Sequence, residues 1–179
     1  MKWQFDPAHT SVEASTKHMM FATVRVRFPG ATGEIDLEPD RPETAHVRVT
    51  IPVASLSSGD EKRDGHLRSA DFFDGEKHPE IVFASTGVAR AAAAFRVTGD
   101  LTIRGTTKPV VVEVTLHTID DPMVKGAKRS FVDAKATIDR RDWGLAWNMP
   151  VPQGVLVGNE IAIDVSAEVM EIVAASRAA

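Results

Sequence analysis

Several features that would point to a membrane, disulfide-stapled or thiol-based protein are missing from this 179-residue chain. It has no cysteine, which excludes a disulfide framework, a thiol nucleophile and a thiolate metal site. No apolar run approaches the ~20 residues that a membrane span requires, and the N-terminus lacks the apolar segment of an export signal. We therefore expect no membrane span and a cytoplasmic location as given, or a periplasmic one if the sequence is a mature or trimmed form.

The charge distribution argues against nucleic-acid binding. The chain has 21 basic and 25 acidic residues, a formal net charge of -4, and its Lys and Arg residues are scattered among acids. Binding to phosphates usually needs a clustered basic face. No Gly/Ser/Pro-rich linker divides the sequence, so we predict a single domain over residues 1–179, with a tail after Val173 that frays.

Strict alternation of apolar and polar residues dominates the chain and predicts β-strands with one dry and one wet face. In residues 46–53 the apolar side chains Val47, Val49 and Ile51 alternate with polar ones, and the same pattern recurs in residues 95–103, 110–117 and 161–169. It is weaker in residues 11–18, 81–88 and 131–139. Short turn signals between these runs imply antiparallel neighbours, which can form either a sandwich or a barrel. Periodicity alone leaves both open.

One segment, residues 58–79, breaks the β pattern. Ser58 stands three residues before Glu61, the spacing of a capping box that begins a helix, and Pro79 prevents a helix from continuing past His78. A single helical segment with Leu67, Phe72 and Phe73 in an otherwise all-β chain is expected to cover an opening or a sheet edge.

The polar residues form no pattern typical of a catalytic or metal site. The six histidines have no HxH or HExxH spacing, the serines near residue 57 lack a nucleophile-elbow context, and the glycines form no phosphate loop. Asp64, His66 and Asp71 could form an acid–base set, but solvated surface positions explain them adequately. We predict no catalytic residue, no metal and no cofactor.

The apolar run after residue 142 allows two interpretations. Trp143, Leu145, Trp147 and Met149 alternate, so in an extended conformation they share one face. That face either fills an ordinary core, which composition favours, or lines a ligand cavity.

Motifs along nearly the whole chain resemble the YceI-like family of polyisoprenoid-binding proteins. The motifs are W3QFDPAHTSV12, K17HMM20, R63DGHLRSADFF73, H78PEIVF83, G99DLTIRG105 and D139RRDWGL145. One departure is Val26, at a position where the family commonly has glycine.

The resemblance implies an all-β fold, an extended antiparallel eight-stranded lipocalin-like β-barrel with one short helical segment over it. It also implies an apolar tunnel for a long isoprenoid or another amphiphilic lipid, and it allows a homodimer. Under this hypothesis the protein binds, stores or transports a polyisoprenoid, an isoprenoid quinone or a fatty-acid-like lipid without catalysis. The proposed apolar lining is Phe21, Phe28, Leu67, Phe72, Phe73, Phe83, Phe131, Trp143, Trp147 and Met149, with His18, Arg63 and Arg141 near a headgroup.

Two alternatives remain. One is an enzyme that acts on a lipid-like substrate in the same barrel, using His18 or His66 with a nearby carboxylate. The other is a structural dimer whose barrel is filled by its own side chains.

Overall fold

The computed structural model describes residues 1–173 of the chain, so the tail that we expected to fray lies outside the described residues. The single domain predicted over residues 1–179 is described to Val173. The elements are β1 (Lys2–His18), β2 (Ala22–Arg27), β3 (Thr32–Asp36), β4 (His46–Pro52), α1 (Glu61–Arg68), β5 (Glu80–Ala91), β6 (Ala94–Ile103), β7 (Thr106–Asp120), β8 (Lys128–Asp139), β9 (Pro150–Val151), β10 (Gly154–Val155) and β11 (Glu160–Glu171), with 3₁₀ turns at Pro42–Thr44, Val53–Ser55 and Arg140–Trp143.

The main sheet closes on itself. Its order is β11-β8-β7-β6-β5-β4-β3-β1-β2, and antiparallel pairing of β1 with β11 joins the two ends. Both β2 and β3 pair with β1, at Glu13–His18 and Lys2–Gln4 respectively, so together they act as one interrupted strand. The result is an eight-stranded antiparallel β-barrel, as predicted, rather than a sandwich.

The alternation in the sequence corresponds to the two faces of the barrel wall. In β6 the side chains of Val97, Leu101 and Ile103 are buried inside, while Arg96 and Asp100 point outward. Arg104 and Gly105, both at positive φ, form the tight turn between β6 and β7. Within residues 1–173, no α-helix has the length and apolarity needed to cross a bilayer.

Two apolar clusters close the interior at opposite ends. The first surrounds Trp3, Ile35 and Val169, and the indole Nε1 of Trp3 donates a 3.0 Å hydrogen bond to the Leu37 carbonyl. The second contains the side chains Val12, Phe28, Ala31, Val53, Leu56, Phe72, Ile81, Leu101, Ile103, Trp143 and Leu145. Both buried indoles are therefore hydrogen-bonded, since Trp143 Nε1 donates to the Leu101 carbonyl at 2.9 Å.

The helix begins and ends differently from the prediction. Its N-cap is Asp60, whose carboxylate accepts a 2.8 Å bond from the Arg63 amide, and not Ser58. The helix ends at Arg68, ten residues before His78, so Phe72 and Phe73 lie in the turns that follow it. The segment still covers a sheet edge as expected, because Ser57 and Arg27 exchange backbone hydrogen bonds of 2.8 and 2.9 Å at the outer edge of β2.

A glycine in β6 makes room for an aromatic ring in the barrel. A Cβ at Gly99 would lie 2.4 Å from Cζ of Phe83 and 2.7 Å from the Ala84 carbonyl oxygen. We expect Gly99→Ala to lower the free energy of unfolding by about 1–3 kcal/mol, because the backbone oxygen cannot move aside cheaply. Urea denaturation followed by circular dichroism measures this.

Gly65→Ala is the matched control. Gly65 lies in α1, and no atom comes within 4 Å of the point where a Cβ would stand, so alanine there meets no clash. It should stabilise the protein by up to about 1 kcal/mol through helix propensity. Equal stability of the Gly99 variant and the native protein would contradict the prediction.

Candidate ligand-binding cavity

An elongated cavity of about 860 Å³ lies inside the barrel. Its volume falls within the ~300–1,000 Å³ typical of small-molecule sites. Strands all around the wall contribute apolar side chains to it, among them Val12, Val26, Ile35, Val49, Phe83, Val97, Val112, Ala136 and Ile163. The barrel is therefore not filled by its own side chains, which contradicts that part of the structural-dimer alternative.

The ionisable groups of the lining collect mainly where β1 ends beside α1. His18 and Lys17 end β1, and Lys62, Arg63 and His66 come from the helix. Backbone contacts hold this end to the loop before β11. His18 and Val157 form an isolated antiparallel β-bridge, and the Lys17 carbonyl accepts a 2.7 Å hydrogen bond from the Gly158 amide. The cavity thus has a polar end, defined by these five side chains, and a long apolar body.

His66 lies at the centre of an aromatic cluster in the polar end. Its ring meets Phe72 at 5.1 Å and Trp147 at 4.7 Å between centroids, both edge-to-face. Its Nε2 is 2.8 Å from a carboxylate oxygen of Asp71. His66 and Asp71, which we expected to be separate solvated residues, therefore form a pair.

The segment around α1 is held by a buried carboxylate. Asp64 accepts hydrogen bonds from the Ser58 amide at 2.7 Å and the Ser58 hydroxyl at 2.6 Å. Burial opposes ionisation, but these bonds and the nearby Arg68 and Arg63 outweigh it and lower the pKa of Asp64. The expectation that Asp64 is a solvated surface residue was wrong.

Arg140, which the sequence patterns did not single out, organises the loop beside the polar end. Its buried guanidinium donates to the carbonyls of Gly158 at 2.8 Å and Trp147 at 3.0 Å, and also to that of Leu145. It reaches the Asn159 side chain at 3.2 Å. Burial lowers the pKa of Arg140. One side chain therefore positions the backbone that carries Trp147.

Eight of the thirteen side chains predicted for the site line the cavity. They are Phe28, Leu67, Phe72, Phe73, Phe83, Trp147, His18 and Arg63. The structure brings His18, Arg63 and Trp147 to the polar end, and Phe83 to the apolar body.

Three predicted lining residues instead lie on the surface. Phe131 is 38% exposed because it faces outward on β8, opposite His117. Phe21, 78% exposed, lies at the turn between β1 and β2, and Met149, 49% exposed, lies beyond the 3₁₀ turn that ends the alternation after residue 139.

The remaining two are held by other contacts. Trp143 is buried in the second apolar cluster and does not line the cavity. Arg141 points outward and binds Asp139, lowering the pKa of that carboxyl to about 2. The stabilisation from this pair is present above the ordinary carboxyl pKa and is lost as the pH falls through about 2.

A second polar cluster lies on the outer wall, at an irregularity in β1. Asp6, His9 and Glu168 place possible ligand atoms within 4.8 Å of one another. Arg129 lies among them, 2.6 Å from Glu168 and 3.5 Å from Asp6, and so supplies the positive charge that these carboxylates require. The hydrogen bond that His9 donates to the Asp6 carboxylate raises the pKa of His9.

We predict that Arg140→Met lowers the free energy of unfolding by about 3 kcal/mol or more, because several buried oxygens lose their donor together. Urea denaturation followed by circular dichroism measures the change.

Arg141→Met is the matched control, since it removes the neighbouring guanidinium from an exposed position. It should destabilise the protein far less than Arg140→Met at neutral pH, because solvent screens an exposed ion pair, and it should raise the pKa of Asp139. Equal destabilisation by the two variants would contradict the role assigned to Arg140.

Comparisons with known proteins agree with this architecture. The family model of the YceI-like domain matches residues 3–169. A UPF0312 protein of Staphylococcus aureus strain MSSA476 is 30% identical over 165 residues, covering 92% of this chain and 94% of that protein. Protein YceI of Escherichia coli O157:H7 is 34% identical over 149 residues, 82% of this chain and 77% of that protein.

Solved structures show the same fold. Burkholderia cenocepacia BcnA superposes with a TM-score of 0.77 at 25% identity, covering 92% of this chain and 98% of that chain. A polyisoprenoid binding domain from Saccharophagus degradans superposes with a TM-score of 0.66 at 12% identity, covering 95% of this chain and 98% of that chain. The closed barrel, its covering helix and the family match over residues 3–169 show that this chain belongs to the YceI-like family.

Proposed function

We propose that this protein binds a long apolar amphiphile inside its barrel and stores or carries it without changing it chemically. The observation that carries the proposal is the cavity of about 860 Å³, with an almost wholly apolar lining. Each methylene moved from water into such a lining contributes about 0.8 kcal/mol. A long tail therefore binds by burial alone, and a charged anchor adds selectivity rather than most of the affinity.

The asymmetry of the cavity supports one orientation of the ligand. The tail extends towards the cluster around Trp3 and Val169, and the head lies at the polar end near His18, Arg63 and His66. Eight-stranded barrels have room for one slender ligand. The relative from Saccharophagus degradans is described as a polyisoprenoid binding domain, which adds support for a polyisoprenoid, with an isoprenoid quinone or a fatty-acid-like lipid as further candidates.

The direct test is mass spectrometry of the purified protein, under native conditions and then after organic extraction, with a mock purification for comparison. We expect one lipid per barrel. A protein that is empty and also fails to take up added prenyl phosphates, quinones and fatty acids would overturn the proposal.

A pair of variants on one strand tests the cavity itself. Ala136→Phe places a ring in the lumen, whereas Thr137→Phe places the same ring outside, one residue further along β8. We expect Ala136→Phe to reduce uptake of a fluorescent fatty acid about tenfold or more, because the tail loses its volume and its burial. Thr137→Phe should bind like the native protein, and equal uptake by both variants would place the ligand elsewhere.

The His66–Asp71 pair favours one second candidate, an enzyme acting on a lipid inside the barrel. A histidine beside a carboxylate can serve as a general base. Under the carrier proposal, a lipid incubated with native protein is recovered with its mass unchanged, and His66→Ala alters affinity only. Recovery of a modified lipid from the native protein but not from His66→Ala would favour the enzyme.

A further inference from the structure

Apolar side chains are exposed together beside the polar end of the cavity. Met19, Met20 and Phe21 form the turn between β1 and β2, with 41%, 51% and 78% of their surface exposed. Met149 and Val155, 49% and 36% exposed, belong to the neighbouring loop. We call these five residues the apolar rim.

Hydrogen bonds fix the turn and the loop of the rim relative to each other. The Met19 amide donates to the Leu156 carbonyl at 2.8 Å, and the Leu156 amide donates to the Met149 carbonyl at 2.9 Å. The Asn148 side chain bonds the Val157 backbone twice, at 2.8 and 3.0 Å. The turn and the loop therefore present their apolar side chains as one unit.

The turn holds methionines where the backbone favours other residues. Met19 and Met20 have φ of +50° and +70°, and the Phe21 amide bonds the His18 carbonyl at 3.2 Å, the geometry of a type I′ turn. Asn-Gly is strongly preferred in that turn, because side chains with a Cβ are strained at positive φ. Folding alone would favour Asn-Gly, so the turn itself does not explain the Met-Met pair.

Unpaired positive charge lies next to the rim. Lys17 comes two residues before Met19, and Lys62 and Arg63 line the same end of the cavity. Within residues 1–173, none of these three forms an ion pair. The carboxylates beside them on the helix are Asp60, which caps it, Glu61 and the buried Asp64, which is hydrogen-bonded to Ser58. Exposed Met and Phe side chains flanked by free Lys and Arg match the two layers of an anionic bilayer surface, acyl chains and headgroups.

We propose that the apolar rim docks this protein onto an anionic phospholipid bilayer, so that the polar end of the cavity faces the membrane. This docking is a separate property from ligand binding inside the barrel, because it concerns the membrane surface from which a lipid could enter the cavity. In the docked state, Phe21 and the two methionines insert among the acyl chains of the bilayer, and Lys17 lies at the headgroups.

The test is co-sedimentation with vesicles of phosphatidylcholine alone and of phosphatidylcholine mixed with phosphatidylglycerol. We expect native protein to sediment with the mixed vesicles, and less so in high salt. Met19→Asn/Met20→Gly should reduce this binding about tenfold while its melting temperature stays equal or rises, because the turn loses its strain as well as its apolar surface. Phe21→Ser should reduce binding similarly.

Met123→Ser is the matched control, because Met123 is 83% exposed in the loop between β7 and β8, away from the rim. It should bind vesicles like the native protein. Native protein that ignores both kinds of vesicle, or a turn variant that binds them as well as the native protein does, would overturn the proposal. Equal binding to neutral and anionic vesicles would overturn the part assigned to the charges.

Two further measurements separate this proposal from its rivals. If Phe21→Ser converts a native dimer to a monomer in light scattering, the rim is an interface between copies of the chain and the docking proposal fails. Uptake of a soluble fluorescent fatty acid without vesicles tests the cavity independently. Uptake without vesicle binding overturns only the docking, and vesicle binding without uptake overturns only the carrier function.

Discussion

Closure of the barrel depends on β1, because this strand pairs along both of its edges. It meets β11 on one side and the interrupted strand β2–β3 on the other, so it joins the first and last parts of the chain. Without that pairing the sheet would have two long open edges, which favour aggregation. The closed wall also satisfies its backbone groups by itself, which frees the interior from the need to pack solid.

The cavity persists because bulky and small side chains are separated along the barrel. Large rings occupy the two ends, where the indoles of Trp3 and Trp143 are fixed by hydrogen bonds to carbonyls. Between them, Ala134 and Ala136 contribute little volume to the lumen, and the ring of Phe83 packs over Gly99. An apolar void of this size is costly when empty, since its lining loses dispersion contacts. Under the proposed function, the binding free energy of the ligand would therefore add to folding stability.

Alternation in the sequence predicted the strands, and the same alternation also separates the inward from the outward positions of β8. On β8 the inward positions are Ala134, Ala136 and Ile138, so the same period places Phe131 outside and Arg140 inside. Selecting residues by type favoured the aromatic side chain and the wrong arginine. The two-residue period was the better guide than residue type, because successive side chains of a strand must point to opposite faces. Met149 could not be placed this way, since the 3₁₀ turn at Arg140–Trp143 and Gly144 at φ +73° end the extended chain.

Contacts between distant segments lay beyond the reach of the sequence. Asp60 and Ser58 are both favoured N-cap residues, and the contact of the Ser58 hydroxyl with Asp64 leaves Asp60 to cap α1. Likewise His66 meets Trp147 although the two are far apart along the chain, and only the closed barrel brings them together.

The contact between His66 and Trp147 makes the two ends of the cavity different. The covering helix, the loop held by Arg140 and the end of β1 converge on one end of the cavity, whereas the opposite end is sealed by the cluster around Trp3 and Val169. Under the proposed carrier function, a ligand that enters through the mixed polar and aromatic end keeps its head near water while its tail is buried progressively. Under that proposal, entry and exit require movement of the segment around α1, which is anchored by hydrogen bonds at Ser57, Asp64 and Arg68 and by the buried side chains of Leu56 and Phe72. The strands of the wall need not separate, so the closed barrel can exchange its contents without giving up the pairing of β1.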